Sequence, residues 1–137
     1  MTQRVIELTD FGAAENMKLR EADIPTPGPG QIVVKNNAIG LNYLDTYFRT
    51  GLYPWPNQEK IKVPGSEGVG HVHSVGADVN FFKEGDKVSY VTPVGAYAEY
   101  TLINAAHAVE IKVDVDDHEV VASCLLYTSP SPRDAHK

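Results

Sequence analysis

The chain has 137 residues, of which 42% are apolar and 22% charged, with one cysteine and a formal net charge of −6. This is the size and composition of one soluble globular domain with enough chain to bury a core. The acidic balance, with no basic run, argues against nucleic-acid or anionic-membrane partners. The single cysteine, Cys124, excludes an internal disulfide and a multi-cysteine metal site.

In chain order, the opening "MTQRVIELTD" lacks the apolar core of a signal peptide, and no run is long and apolar enough to span a bilayer, so a cytoplasmic protein is expected. "RVIEL" and "MKLREADI" alternate as half-buried strands do, and "PTPGPG" at 25–30 is a rigid turn. "QIVVKNNAIGLN" reads as a long, bent strand that leaves through a tight point at Gly40. "YLDTYF" fits a short helix with Leu44 and Phe48 on one face, and the prolines of "GLYPWPNQEKIKVP" make a loop. Four glycines, 65, 68, 70 and 76, punctuate "PGSEGVGHVHSVGADV", which implies sharp bending or close approach of another backbone. "EGDKVSYV" is a turn into a strand. "GAYAEYTLI" alternates, with Tyr97, Glu99 and Thr101 on one face, and "HAVEIKV" is a further strand. Many short strands with glycine turns imply a small barrel or sandwich. At "DVDDHEVVAS" a helix start is expected, with Asp116 as cap and Glu119 closing the box. "CLLYTSPSPRDAHK" then carries two prolines and nothing able to pack.

Three groups of residues could carry chemistry. Asn42, Tyr43, Asp45, Tyr47 and Tyr53 either surround a planar ligand, stacking on it and orienting its carbonyls, or belong to a helix that caps the barrel. "GSEGVG" ends in no Gly-Lys-Ser/Thr, and Gly68 and Gly70 lack a third glycine three residues on, where His73 stands. Neither phosphate-binding pattern is therefore present. Glu67, between small residues, is either a satisfied buried acid or a site residue. His71 and His73 share a strand face, but no third metal ligand is evident near them.

"AIGLNYLDTYFRTGLYP", "VPGSEGVGHVHSVGADV", "FKEGDKVSYV" and "GAYAEY" in this order resemble the NADPH:quinone oxidoreductases, the zinc-independent, zeta-crystallin-like branch of the medium-chain dehydrogenases/reductases. The resemblance covers residues 1 to about 123. It implies a mainly β, GroES-like partly open barrel with short helices, which is the N-terminal catalytic domain of the family, here without the α/β Rossmann domain that holds the cofactor. Residues 1–123 are expected to be this domain, truncated. Residues 124–137 are expected to be a non-native, disordered tail that resembles sequencing-adapter read-through.

The same resemblance implies reduction of quinones by NADPH without metal. Zinc-dependent relatives carry cysteine at the place of Asn42 and histidine at the place of Ser66, and asparagine and serine are poor zinc ligands by comparison. Asn42, Tyr43, Leu44 and Asp45 would border the cofactor. Asn42, Tyr47 and Tyr53 would serve as the catalytic residues, with the tyrosines flanking the quinone. The alternatives are a 2-alkenal or enone reductase of the same superfamily and a non-catalytic GroES-like binding module. The expected partner is a small-molecule quinone, with a homodimer for the full-length enzyme, and the piece itself is expected to be inactive.

Overall fold

The computed structural model describes residues 1–112. Two antiparallel sheets make up the architecture. β1 (Thr2–Leu8) and β2 (Met17–Asp23) form a hairpin, in register from Thr2 opposite Asp23 to Leu8 opposite Met17. β3 (Gln31–Ile39), β4 (Glu67–Val75), β5 (Lys87–Val91), β6 (Tyr100–Asn104) and β7 (Ala108–Glu110) form a five-stranded sheet in the order β6-β3-β4-β5-β7. An isolated bridge between Val5 and Ala98 joins the hairpin to the segment before β6. Among the described residues the edge strands β6 and β7 do not pair with each other, so the barrel is open there. One short α-helix, α1 (Tyr43–Arg49), crosses between β3 and the long loop that leads to β4.

The sequence dictates the centre of this arrangement. Ile32, Val33 and Val34 are all fully buried because β3 is flanked by strands on both edges and covered on both faces. Fully burying each such side chain is worth about 1.5–3 kcal/mol. Ile32 and Val34 join Val72, Phe82, Val88, Tyr90 and Ile103 in the main apolar cluster.

The glycines of β4 have a specific reason. A Cβ on Gly70 would strike the Lys35 carbonyl, beside the register shift between Asn36 and Ala38. A Cβ on Gly76 would strike the Gly28 carbonyl, and one on Gly68 would lie 2.6 Å from the Tyr90 hydroxyl. That hydroxyl donates to Asn36 Oδ1 at 2.7 Å, and Asn36 Nδ2 in turn donates to the Ala98 carbonyl at 2.8 Å. Burial pushes the Tyr90 phenol up to about 12, so it remains a donor at neutral pH. This buried network ties the irregular segment 95–99 to the sheet.

Several elements differ from the periodicity. β3 ends at Ile39, because beyond it Gly40 presses its backbone against the side chain of Glu67. "GAYAEYTLI" is not one strand. Gly95 has φ +117°, and Ala96 and Tyr97 donate to the carbonyls of Gly65 and Pro64, so regular pairing starts only at Tyr100. "HAVEIKV" begins as a 3₁₀ turn, Ala105–His107, before the short β7. Among the described residues no helix is long and apolar enough to cross a membrane. The helix expected from Asp116, and the tail, lie outside the described residues.

Candidate functional site

The site forms where β3 runs into α1. Asn42 is the N-cap, extended at φ −130° and ψ 156°, and its backbone N–H donates to Asp45 Oδ2 at 3.1 Å, three residues on. The same carboxylate oxygen accepts the hydroxyl of Tyr97 at 2.6 Å. The Asn42 side chain turns the other way, and its Nδ2 donates to Glu67 Oε1 at 3.1 Å. Four residues from three regions of the chain are thereby linked in the order Tyr97, Asp45, Asn42, Glu67, with the Asn42 backbone N–H making the middle link.

The electrostatics follow from burial. Asp45 is 5% exposed and Glu67 2%. Burial raises the Glu67 carboxyl above its ordinary 4.5, the hydrogen bond from Asn42 opposes this, and the nearby Asp45 charge adds to it. Tyr97 is raised above the ordinary phenol range by burial first and then by its bond to the Asp45 carboxylate, so it stays a protonated donor.

A cleft of about 400 Å³ opens beside this chain of bonds, with Asn42, Tyr43, Asp45, Arg49, Pro64 and Tyr97 in its lining. A second cleft of about 560 Å³ runs between the hairpin and segment 97–99, and it shares Met17, Leu41 and Tyr97 with the first. Three buried side-chain atoms have no hydrogen-bond partner among the described residues: Asn42 Oδ1, Asp45 Oδ1 and Arg49 Nε. All three residues line the first cleft. Unpaired buried polar atoms are costly and uncommon, and an ordered water, local strain or a functional role accounts for those that occur.

The residues singled out in the sequence divide into two groups. Asn42, Tyr43 and Asp45 line the first cleft. Tyr47 and Tyr53 lie in a different cluster, edge-to-face with ring centroids 5.3 Å apart. Phe48 packs on both Tyr53 and Trp55, and Trp55 on Phe11. Tyr47 is 38% exposed and Tyr53 43%, so this aromatic cluster holds the proline loop to α1 and still offers ring surface. Leu44 is 37% exposed and lines neither cleft. Ser66 donates to the Pro93 carbonyl at 3.0 Å. His71 and His73 both lie exposed, with His73 against the ring of Tyr100. Among the described residues no three His, Cys, Asp or Glu side chains gather as a metal site.

Sequence reading missed Tyr97 and Arg49. Arg49 carried a signal, since it stands four residues after Asp45 on the same helical face. Tyr97 carried none, because its bond to Asp45 spans 52 residues.

The profile of the alcohol dehydrogenase GroES-like domain family matches residues 28–113. The chain is 40% identical over 121 residues to the quinone oxidoreductase of Pseudomonas aeruginosa, covering 88% of this chain and 37% of that protein. Its structure is similar to that of the quinone oxidoreductase of Pseudomonas syringae pv. tomato DC3000, with TM-score 0.82 and 39% identity over 88% of this chain and 37% of that one. It is also similar to a mycobacterial protein solved in complex with NADPH, with TM-score 0.79 and 32% identity over 94% of this chain and 42% of that one. The chain thus spans about 37% of the length of the curated relative it matches.

Proposed function

The chain belongs to the alcohol dehydrogenase GroES-like domain family, and from that premise we propose that it is the quinone-facing part of an NADPH-dependent quinone oxidoreductase that works without zinc. The observation that carries the reading is the cleft lined by Asn42, Tyr43 and Asp45 at the N-terminus of α1. A mostly apolar cleft with a few fixed polar groups is the usual form of a small-molecule site. The quinone oxidoreductases named above support the choice of substrate, and the NADPH bound by the mycobacterial protein supports the choice of cofactor.

The residues fit one end of that cofactor. The cleft has the volume for a nicotinamide-sized ring, and Asn42, Asp45 and Arg49 stand among its lining residues. The glycine-rich segment, in contrast, runs into strand β4 and not into a helix N-terminus, so it offers no pyrophosphate cradle. Bound NADPH supplies the reducing equivalents. The chain's own residues hold the ring against the quinone. Asp45, fixed by Tyr97 and by the Asn42 backbone, is a rigid wall, and Tyr43 is a ring at the mouth, 85% exposed. Independence from zinc is supported by the commitments of the side chains at the ligand places. Asn42 Nδ2 is spent on Glu67, and the Ser66 hydroxyl on the Pro93 carbonyl.

The test is a chimera in which this chain replaces the matching 121 residues of the Pseudomonas aeruginosa quinone oxidoreductase. It is assayed for NADPH oxidation with quinones and, separately, with 2-alkenals. The proposal expects quinone turnover near that of the parent, and a loss of kcat/KM of about tenfold or more for Asn42→Ala or Asp45→Ala. A folded chimera that binds NADPH and reduces no quinone refutes the proposal. Preferential turnover of 2-alkenals moves the substrate to the enone class.

A further inference from the structure

We propose that the outer face of the five-stranded sheet is a docking surface for an acidic segment of the same chain, in which Asp114, Asp116, Asp117 and Glu119 pair with a row formed by Lys35, His71 and Lys87. The row is set by register. Lys35 of β3 is opposite His71 of β4, and His71 is opposite Lys87 of β5. Tyr100 of β6 continues the row on the far side of Lys35. Side chains directly opposite one another point to the same side of a sheet. The chain neighbours Val34, Val72 and Val88 belong to the apolar core, so Lys35, His71 and Lys87 lie on the other side. Lys35 and His71 are exposed there. Two lysines and a histidine thus stand side by side in a chain of net charge −6.

The described acids nearest this row are engaged by other partners. Glu99, which feels the charge of Lys35, accepts the Arg4 guanidinium at 3.3 Å and the Arg4 backbone N–H at 2.6 Å. Asp86, just before Lys87, holds Lys83 at 3.6 Å. Asn37 Nδ2 lies 3.2 Å from His71 Nδ1, which leaves Nε2 for another partner. The sequence supplies complementary charge at once, with four acids between 114 and 119. The chain also approaches from the right place. β7 runs beside β5, and the Ile111 N–H donates to the Lys87 carbonyl at 2.8 Å. An extended chain covers about 3.3–3.6 Å per residue, so Asp114 can reach about 10 Å from Ile111, and Asp117 about 20 Å. From Lys87 to Lys35 the row crosses two strand spacings, about 10 Å. Exposed ion pairs are individually weak, but several charges on a short tether act together. None of the three basic residues lines either cleft, so this surface is independent of the quinone reductase reading.

The test is carbodiimide cross-linking of the full 137-residue chain at micromolar concentration, read by peptide mass spectrometry. The reagent joins an amine to a carboxylate already in contact with it and adds no spacer. The expected product is an intrachain amide between Lys35 and a carboxylate within 114–119. It should form at about 20 mM salt and fall about tenfold or more at about 1 M, where charges are screened beyond about 3 Å. A second measurement needs no reactive lysine. Asp114→Asn, Asp116→Asn and Asp117→Asn together keep the size of each side chain and remove its charge. The backbone amides of Lys35, His71 and Lys87 should then move in ¹⁵N spectra, and should stay in place when the exposed Glu15, Glu21 and Glu59 are changed to glutamine. Absence of the cross-link from Lys35 to 114–119, or its formation only between two copies, overturns the inference, and so do equal shifts in the two variants.

Discussion

Replacing Tyr97 by phenylalanine removes one oxygen and keeps the ring. In the folded chain that oxygen donates to Asp45 Oδ2 at 2.6 Å. Asp45 is 5% exposed, and its other oxygen is already unpaired, so the substitution leaves the carboxylate with the Asn42 backbone N–H as its one remaining donor. A hydrogen bond to a charged group is worth about 1.5–3 kcal/mol, and a domain of this size loses roughly 3–5 °C in Tm per kcal/mol. Tyr97→Phe is therefore expected to lower Tm by roughly 5–15 °C. The assay is urea unfolding of the four members of a double-mutant cycle with Asp45→Ala. In the Asp45→Ala background the Tyr97 hydroxyl has lost its acceptor, and Tyr97→Phe should cost less than about 0.5 kcal/mol, leaving a coupling energy of about 1–3 kcal/mol. Equal costs in the two backgrounds would refute the argument that Tyr97 acts through Asp45.

The remaining predictions address burial, crowding and metal. Glu67 has a raised carboxyl in the folded state, so the folded chain holds that proton more tightly than the unfolded chain. Stability is then full below 4.5 and declines as pH rises through the raised folded value. Glu67→Gln, which keeps an acceptor for Asn42, should flatten that decline in a pH series of urea midpoints, and an unchanged slope would contradict the assignment. Gly70→Ala should destabilise by about 1–3 kcal/mol because its Cβ meets the Lys35 backbone carbonyl, whereas Gly85→Ala, at φ +92° with nothing within 4 Å, should pay only about 1–2 kcal/mol of backbone strain. Expression trials and thermal melts rank the two, and a harmless Gly70→Ala would show that the strands can separate there. Elemental analysis of the active chimera after chelator dialysis should find no stoichiometric zinc at the Asn42 and Ser66 positions; zinc that tracks activity would contradict the proposed metal independence.

The fold was legible where local chemistry decides it. Branched residues at 32–34 announce a central strand, and they are buried at the middle of the five-stranded sheet. Gly70 and Gly76 announce close backbone approach, and each faces a carbonyl from another segment. The short helix was legible from Leu44 and Phe48, and it spans Tyr43–Arg49. Segment 95–100 was misread as regular strand because alternation cannot report that Ala96 and Tyr97 are held by Gly65 and Pro64. The site was legible in part. Asn42, Tyr43 and Asp45 stand close in sequence and line one cleft, whereas Tyr47 and Tyr53 cannot be told from packing residues by composition, and they pack. The hydrogen bond from Asn42 to Glu67 was hidden, because it joins residues 25 apart in the chain.

The most direct test of the functional account is a crystal structure of the chimera with NADPH and a non-reducible quinone analogue. The account predicts the analogue's ring in the cleft lined by Asn42, Tyr43 and Asp45, with the nicotinamide against the same wall. A ring seated on the Tyr47–Tyr53 cluster, with the Asn42–Asp45 cleft filled by protein, would contradict it.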